Sequence, residues 1–158
     1  FEMRVMQLGR EYPEQGLDLF IAARKTGAPG AARLDPEDYR KENFNFAPPD
    51  DAMLRLDGVL QRAADFAILD GPGARIEIAV PPSAREVLPV LSRHDWSGRV
   101  LLRWGEASVA EDLYSWHSYV QPVRIGRGGP ADQVSVTLAG RHPASRGAQM
   151  VLWGVLWR

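Results

Sequence analysis

The sequence predicts an α/β domain, and three observations carry that prediction. Residues 75–80 alternate strictly, with Ile76, Ile78 and Val80 on one face and Arg75, Glu77 and Ala79 on the other. Ser83-Ala84-Arg85-Glu86 has the spacing of a capping box, which opens a helix through Arg93. Arg99-Val100-Leu101-Leu102-Arg103-Trp104 follows as a strand that is apolar on both faces toward its middle. Strand, helix and strand within about 30 residues form a βαβ unit, with parallel strands and a right-handed crossover. The expected architecture is a single domain over residues 1–158. It has a mixed, mainly parallel sheet of about five strands, helices packed on it and a C-terminal antiparallel hairpin.

Met3 to Leu8 is the first expected strand. Leu17 to Arg24 fits a second strand or a short helix, since periodicity does not separate the two. Residues 25–34 are rich in Gly, Ala and Pro and form a loop. Asp35-Pro36-Glu37-Asp38 then starts a helix, because Asp35 caps free N–H groups and Pro36 needs no N–H there. Asn43 to Pro49 cannot continue it. From Asp51 to Leu69, Met53, Leu56, Val59, Leu60, Ala63, Ala64 and Ala67 recur at three- and four-residue steps, the stripe of an amphipathic helix. Asp70-Gly71-Pro72-Gly73 stops it.

Pro89 is expected to kink the 83–93 helix. Ser108-Val109-Ala110-Glu111 is a second capping box, opening a helix with Val109, Leu113, Trp116 and Val120 on one side, closed by Pro122. Arg124 to Pro130 is a loop. Val134, Val136 and Leu138 alternate in a strand over 133–139. The apolar run from Met150 to Trp157 is a buried strand, paired antiparallel with 133–139 through the loop Gly140–Gly147.

Composition narrows the function classes. The 158 residues carry 19 Lys plus Arg, 20 Asp plus Glu and three His, for a net charge of −1. Apolar residues make up 45%, as in an ordinary globular protein. No Cys is present, which excludes a disulfide framework, a thiolate metal site and a cysteine nucleophile. No apolar run reaches the roughly 18 residues a membrane span needs. The first half holds 10 basic and 14 acidic residues and the second half 9 and 6, too mild a contrast for a dedicated nucleic-acid binder. Arg outnumbers Lys by 17 to 2 throughout, a coding bias more than a site. Phe1 is no initiator, so either Met3 starts the natural chain or the domain comes from a longer protein.

No motif assembles a catalytic centre. His117 follows Trp116, but Glu111 and Asp112 are six and five residues away, off the helical three-or-four spacing. Ser115 and Ser118 lack a nucleophile signature. His94 beside Asp95 is expected to cap a helix C-terminus. His94, His117 and His142 show no paired metal-ligand spacing. Glu77, with Asp70, evokes a nuclease carboxylate pair, yet position 79 is Ala and no Lys is near.

Two binding surfaces are expected. Arg124, Arg127, Gly128 and Gly129, converging with Arg141 and Arg146, form an anion-binding loop pair whose glycines expose backbone N–H groups. Tyr39, Phe44 and Phe46 in the 25–49 connection, with Trp153 and Trp157 on an edge-exposed last strand, form a partner surface. The sequence therefore points to a non-catalytic protein-binding or assembly domain of a bacterial-type, cytoplasmic complex. A protein partner or a second copy is expected, with no cofactor, no metal and no membrane span. A phosphate- or nucleotide-binding enzyme or sensor using the 124–130 loop is the alternative. Nucleic-acid contact through the basic second half is a weaker one.

Overall fold

The computed structural model describes residues 44–158 and the strand backbones Glu2–Gln7 and Leu19–Arg24. Among the described residues every regular element is a strand. These are β1 (Glu2–Gln7), β2 (Leu19–Arg24), β3 (Asn45–Ala47), β4 (Leu54–Asp57), β5 (Val59–Arg62), β6 (Ala67–Asp70) and β7 (Arg75–Ala79). They continue as β8 (Glu86–Arg93), β9 (Gly98–Trp104), β10 (Ala107–Asp112), β11 (Tyr119–Pro122), β12 (Ile125–Gly126), β13 (Gln133–Arg141) and β14 (Gln149–Trp157). A five-stranded sheet runs β10-β9-β13-β7-β4. A seven-stranded sheet runs β11-β8-β14-β6-β5, with β12 beside β8 and β3 beside β14. Every ladder between these strands is antiparallel, as is the separate β1–β2 pair.

The α/β expectation is thereby corrected. β7 and β9 were to be parallel neighbours, yet β13 lies between them and pairs antiparallel with both. The bridging segment is β8, a strand of the other sheet. Val87 and Leu91 face the core between the sheets, while Leu88 and Val90 face a second apolar cluster. The capping-box spacing therefore opens a strand buried on both faces, not a helix. Pro89 is tolerated there because its nitrogen points toward the gap between β11 and β12. Its carbonyl, on the same side, accepts the Val123 N–H at 2.9 Å.

The 51–69 stripe is likewise β4, β5 and β6. The break falls at Gly58, whose φ of +79° is the left-handed turn that a helix interior never takes. Asp51, with Asp50 one of the two residues expected to cap that helix, accepts the Met53 N–H at 2.9 Å and makes an Asx turn instead. The 108–120 helix is β10 and β11, and Glu86 of the first capping box pairs with Arg124 and Arg158. The C-terminal hairpin is corrected too, since β13 and β14 belong to different sheets and residues 142–148 cross between them. β14 is not an edge strand. It has β8 on one side and β6 and β3 end to end on the other. The expected loop at 25–34, the helix start at Asp35 and Tyr39 lie outside the described residues.

The two sheets face each other over one core, in which Trp104, Ile76, Ile78, Leu102, Val136, Leu152 and Met150 are fully buried. Along β14, Met150 and Leu152 point inward and Trp153 outward. A bulge between Leu152 and Gly154 then shifts the alternation, so Val155 faces in and Leu156 out. The outward side chains join Phe44, Phe46, Leu88, Val90 and Val120 in the second cluster. Among the described residues, no helix is long and apolar enough to cross a membrane.

Candidate functional site

The turns of a β-sandwich cluster at its two ends, and the sequence-predicted residues divide between them. At one end, Arg124 pairs with Glu86 at 3.0 Å. Arg127 donates to the carbonyls of Pro82 and Gly129, and its guanidinium lies 5.8 Å from the Trp104 ring centroid. Gly128 packs against Ala107 and the Trp104 carbonyl, and Gly129 is exposed beside it. Arg141 lies opposite Gly98 at the far end of β9, and Arg146 pairs there with Asp95 at 3.3 Å. β9 has seven residues, so the two loops stand about 20 Å apart and do not converge.

The aromatic residues also separate. Trp153 donates its indole N–H to Ser92 Oγ at 2.7 Å and packs on Phe66. Phe44 and Phe46 share its cluster, and the Arg158 guanidinium covers the Phe44 ring at 4.5 Å. Trp157 packs partly buried against the inner core. Phe44, Phe46 and Trp153 are thus brought together, in packing within the fold, and Trp157 faces the other way.

The second end holds what the sequence reading missed. Trp116 is 82% exposed, the largest exposure among the bulky apolar side chains described, and Trp96 is 46% exposed. Trp116 stands edge-on to Tyr114, with ring centroids 5.9 Å apart at 69°. Tyr114 stacks flat on His142, 4.3 Å apart and 7° from parallel. The helical pattern had placed Trp116 on an apolar face with Leu113 and Val120. Those two are buried, but the segment between β10 and β11 is a turn that turns Trp116 outward. Only its neighbours, Ser115, His117 and Ser118, hinted at solvent.

Polar groups fix this platform from below. Ser115 Oγ accepts the His117 N–H at 3.2 Å, and the Ser115 N–H donates to the His94 carbonyl at 3.3 Å. His94 Nδ1 accepts the Trp96 N–H, and His142 Nδ1 accepts the Ala144 N–H, each at 3.1 Å. In the neutral ring, those bonds leave the proton of each histidine on Nε2. The buried Ser145 hydroxyl lies within 3.0 Å of the carbonyls of Asp95, Ser97 and Gly147, tying the two turns together. Arg93 reaches Glu111 at 2.8 Å and the Asp112 carbonyl at 2.7 Å. His117 is exposed and has no carboxylate paired with it among the described residues, and Glu77 is held by Arg75 at 2.5 Å on a different sheet from Asp70. Among the described residues, no three His, Asp or Glu side chains are grouped as a metal ion needs.

Asp112 binds the Arg99 Nε–H at 2.8 Å and the Tyr114 N–H at 3.1 Å. Partial burial pushes its carboxyl up. The hydrogen bonds from Arg99 and Tyr114, with the charges of His142 and Arg99, outweigh this and hold it below the ordinary aspartate value. A depressed folded value means that the stabilisation is complete above the unfolded pKa, near pH 4, and is lost as pH falls through the folded one. Asp112→Asn is therefore expected to flatten the acid limb of Tm against pH below about pH 4, at low salt. An unchanged acid limb would show that the ion pair is not formed in solution.

No family model matches the sequence, and no curated protein matches it. Solved structures do. A two-domain esterase active on acetylated mannans, co-crystallised with mannopentaose, matches with a TM-score of 0.50 and 15% identity, over 73% of this chain and 36% of that one. Another crystal structure of a two-domain esterase active on acetylated mannans matches at 0.46 and 16%, over 84% and 40%. TmCBM61 in complex with β-1,4-galactotriose matches at 0.33 and 8%, over 72% and 82%. The first of these shares the β-fold. The chain spans 36% of that esterase's length.

Proposed function

We propose that this chain is a non-catalytic glycan-binding domain whose ligand stacks on Trp116. The observation that carries this reading is the exposed indole, 82% open to solvent yet held edge-on by Tyr114, which is itself stacked on His142. A pyranose presents a face of C–H groups that is apolar, ringed by hydroxyls. A rigid indole offers a matching flat surface at low entropic cost, and Tyr114 and Ser115 hold it in place before the ligand arrives. The flanking carboxylates and guanidiniums, with the His142 imidazole, are the donors and acceptors that hydroxyls need. The likeness in fold to an esterase active on acetylated mannans, crystallised with mannopentaose, supports a sugar ligand.

Of the expected protein-assembly residues, Phe44, Phe46 and Trp153 pack with one another within the fold, so the proposal is carried by Trp116 instead. A phosphate site on the 124–130 loop would use Arg124 and Arg127 without Arg141 and Arg146, which stand at the far end of β9.

The test is calorimetric titration with manno-, galacto- and gluco-oligosaccharides. Binding to at least one is expected. Trp116→Ala should weaken it by about 30-fold, the loss of a tryptophan hot spot. Its Tm should stay within about 2 °C of the parent, because an exposed side chain contributes little to folding. Equal binding by Trp116→Ala and the parent overturns the reading.

A further inference from the structure

The outer face of the five-stranded sheet continues from the aromatic end, and its charges are almost all matched. Arg99 pairs with Asp112 at 2.8 Å, Arg75 with Glu77 at 2.5 Å and Arg55 with Asp57 at 3.8 Å. Arg103 differs. It is exposed near the end of β9, one strand in from the sheet edge, and makes no hydrogen bond or ion pair among the described residues. Its cross-strand neighbours are Ser108 on β10 and Ser135 on β13. Glu77, one strand further, is about 10 Å away and already neutralised by Arg75. Arg103 therefore presents a whole guanidinium fork, flanked by two hydroxyls, with no carboxylate to occupy it.

From Arg99, beside the Asp112–Tyr114 corner, to Arg103 the strand advances about 13 Å, and both side chains project from the same face. We infer that this face reads an acidic glycan. One sugar stacks on Trp116, and the chain runs along β9 so that a uronate carboxylate further on is held bidentately by Arg103. This inference rests on the glycan-binding reading of the aromatic end. It names the class of sugar that the site selects. The occupant follows from charge: a neutral chain leaves the Arg103 fork unused, whereas a carboxylate supplies the partner that every other Arg on the face already has.

The experiment compares an oligogalacturonate with a neutral manno-oligosaccharide of equal length, titrated into the parent protein, Arg103→Gln and Trp116→Ala. The parent should bind the acidic ligand more tightly, and that preference should vanish near 1 M salt, where charges are screened within about 3 Å. Arg103→Gln should lose about tenfold for oligogalacturonate and nothing for the neutral ligand, with Tm unchanged. Trp116→Ala should weaken both. If Arg103→Gln leaves oligogalacturonate affinity unaltered while Trp116→Ala still reduces binding, the acidic specificity is wrong and the glycan-binding reading stands. If the parent binds neither these ligands nor any of the neutral panel, both are wrong.

Discussion

Trp104→Ala is expected to lower stability by about 3–5 kcal/mol, the range for removing a fully buried tryptophan. Trp104 has 0% exposure and lies between the two sheets, in the same cluster as Ile76 and Leu102 of one and Leu152 of the other. Its indole N–H donates to the Ala131 carbonyl at 2.8 Å, and Arg127 lies over the ring. Truncation leaves a cavity that two facing sheets cannot close without sliding, and it leaves the carbonyl without its donor. For a chain of this length the loss corresponds to a Tm drop of about 10 °C or more, measurable by calorimetry. Trp104→Phe keeps most of the ring and removes the N–H, so it should cost about 1–3 kcal/mol. An alanine variant as stable as the parent would show that the sheets do not meet at this residue.

Gly128→Ala is the second large effect. A Cβ at position 128 would lie 2.2 Å from the Ala107 nitrogen, 2.5 Å from the Ala107 Cβ and 2.6 Å from the Trp104 oxygen. None of these atoms can rotate away, so the β9–β10 hairpin must move. Overpacking of this kind costs about 1–3 kcal/mol, and contact with backbone places Gly128 toward the top of that range. The Glu106 N–H to Gly128 carbonyl bond, at 2.7 Å, would be strained as well. Gly126→Ala is the matched control, since a Cβ there meets nothing within 4 Å. Urea denaturation should separate the two variants clearly. Similar midpoints would mean that the 124–130 loop does not rest on the hairpin.

Much of the strand content was legible. The alternation of Ile76, Ile78 and Val80, the paired faces of 99–104, the alternating 133–139 and the apolar run to Trp157 all mark strands that exist. Their partners were not legible, because alternation says which face is buried and is silent on the neighbour. The false helices began from cap-like residue types that turns and strands also use. Ser108 lies inside β10, and Asp51, Asp112 and Ser115 each accept a backbone N–H two residues on, in Asx and related turns. Strands such as β8, buried on both faces, then supplied apolar residues at any spacing a helix demanded. Trp116 was lost to the same error. Read as a helix, the segment puts its indole on the core side with Leu113. Arg103 was unremarkable in sequence, since its distinction is the absence of a partner that only the cross-strand register reveals.

The central place of β14 has a temporal consequence. During synthesis, β3, β6 and β8 emerge long before the strand that must lie between them, so their inner edges have no ladder to join until residue 157 has left the ribosome. Such distant pairings give high contact order and slow closure. In that interval, exposed edges rich in Val and Leu invite intermolecular pairing. Chaperone demand in the cell should accordingly persist until β14 has been made.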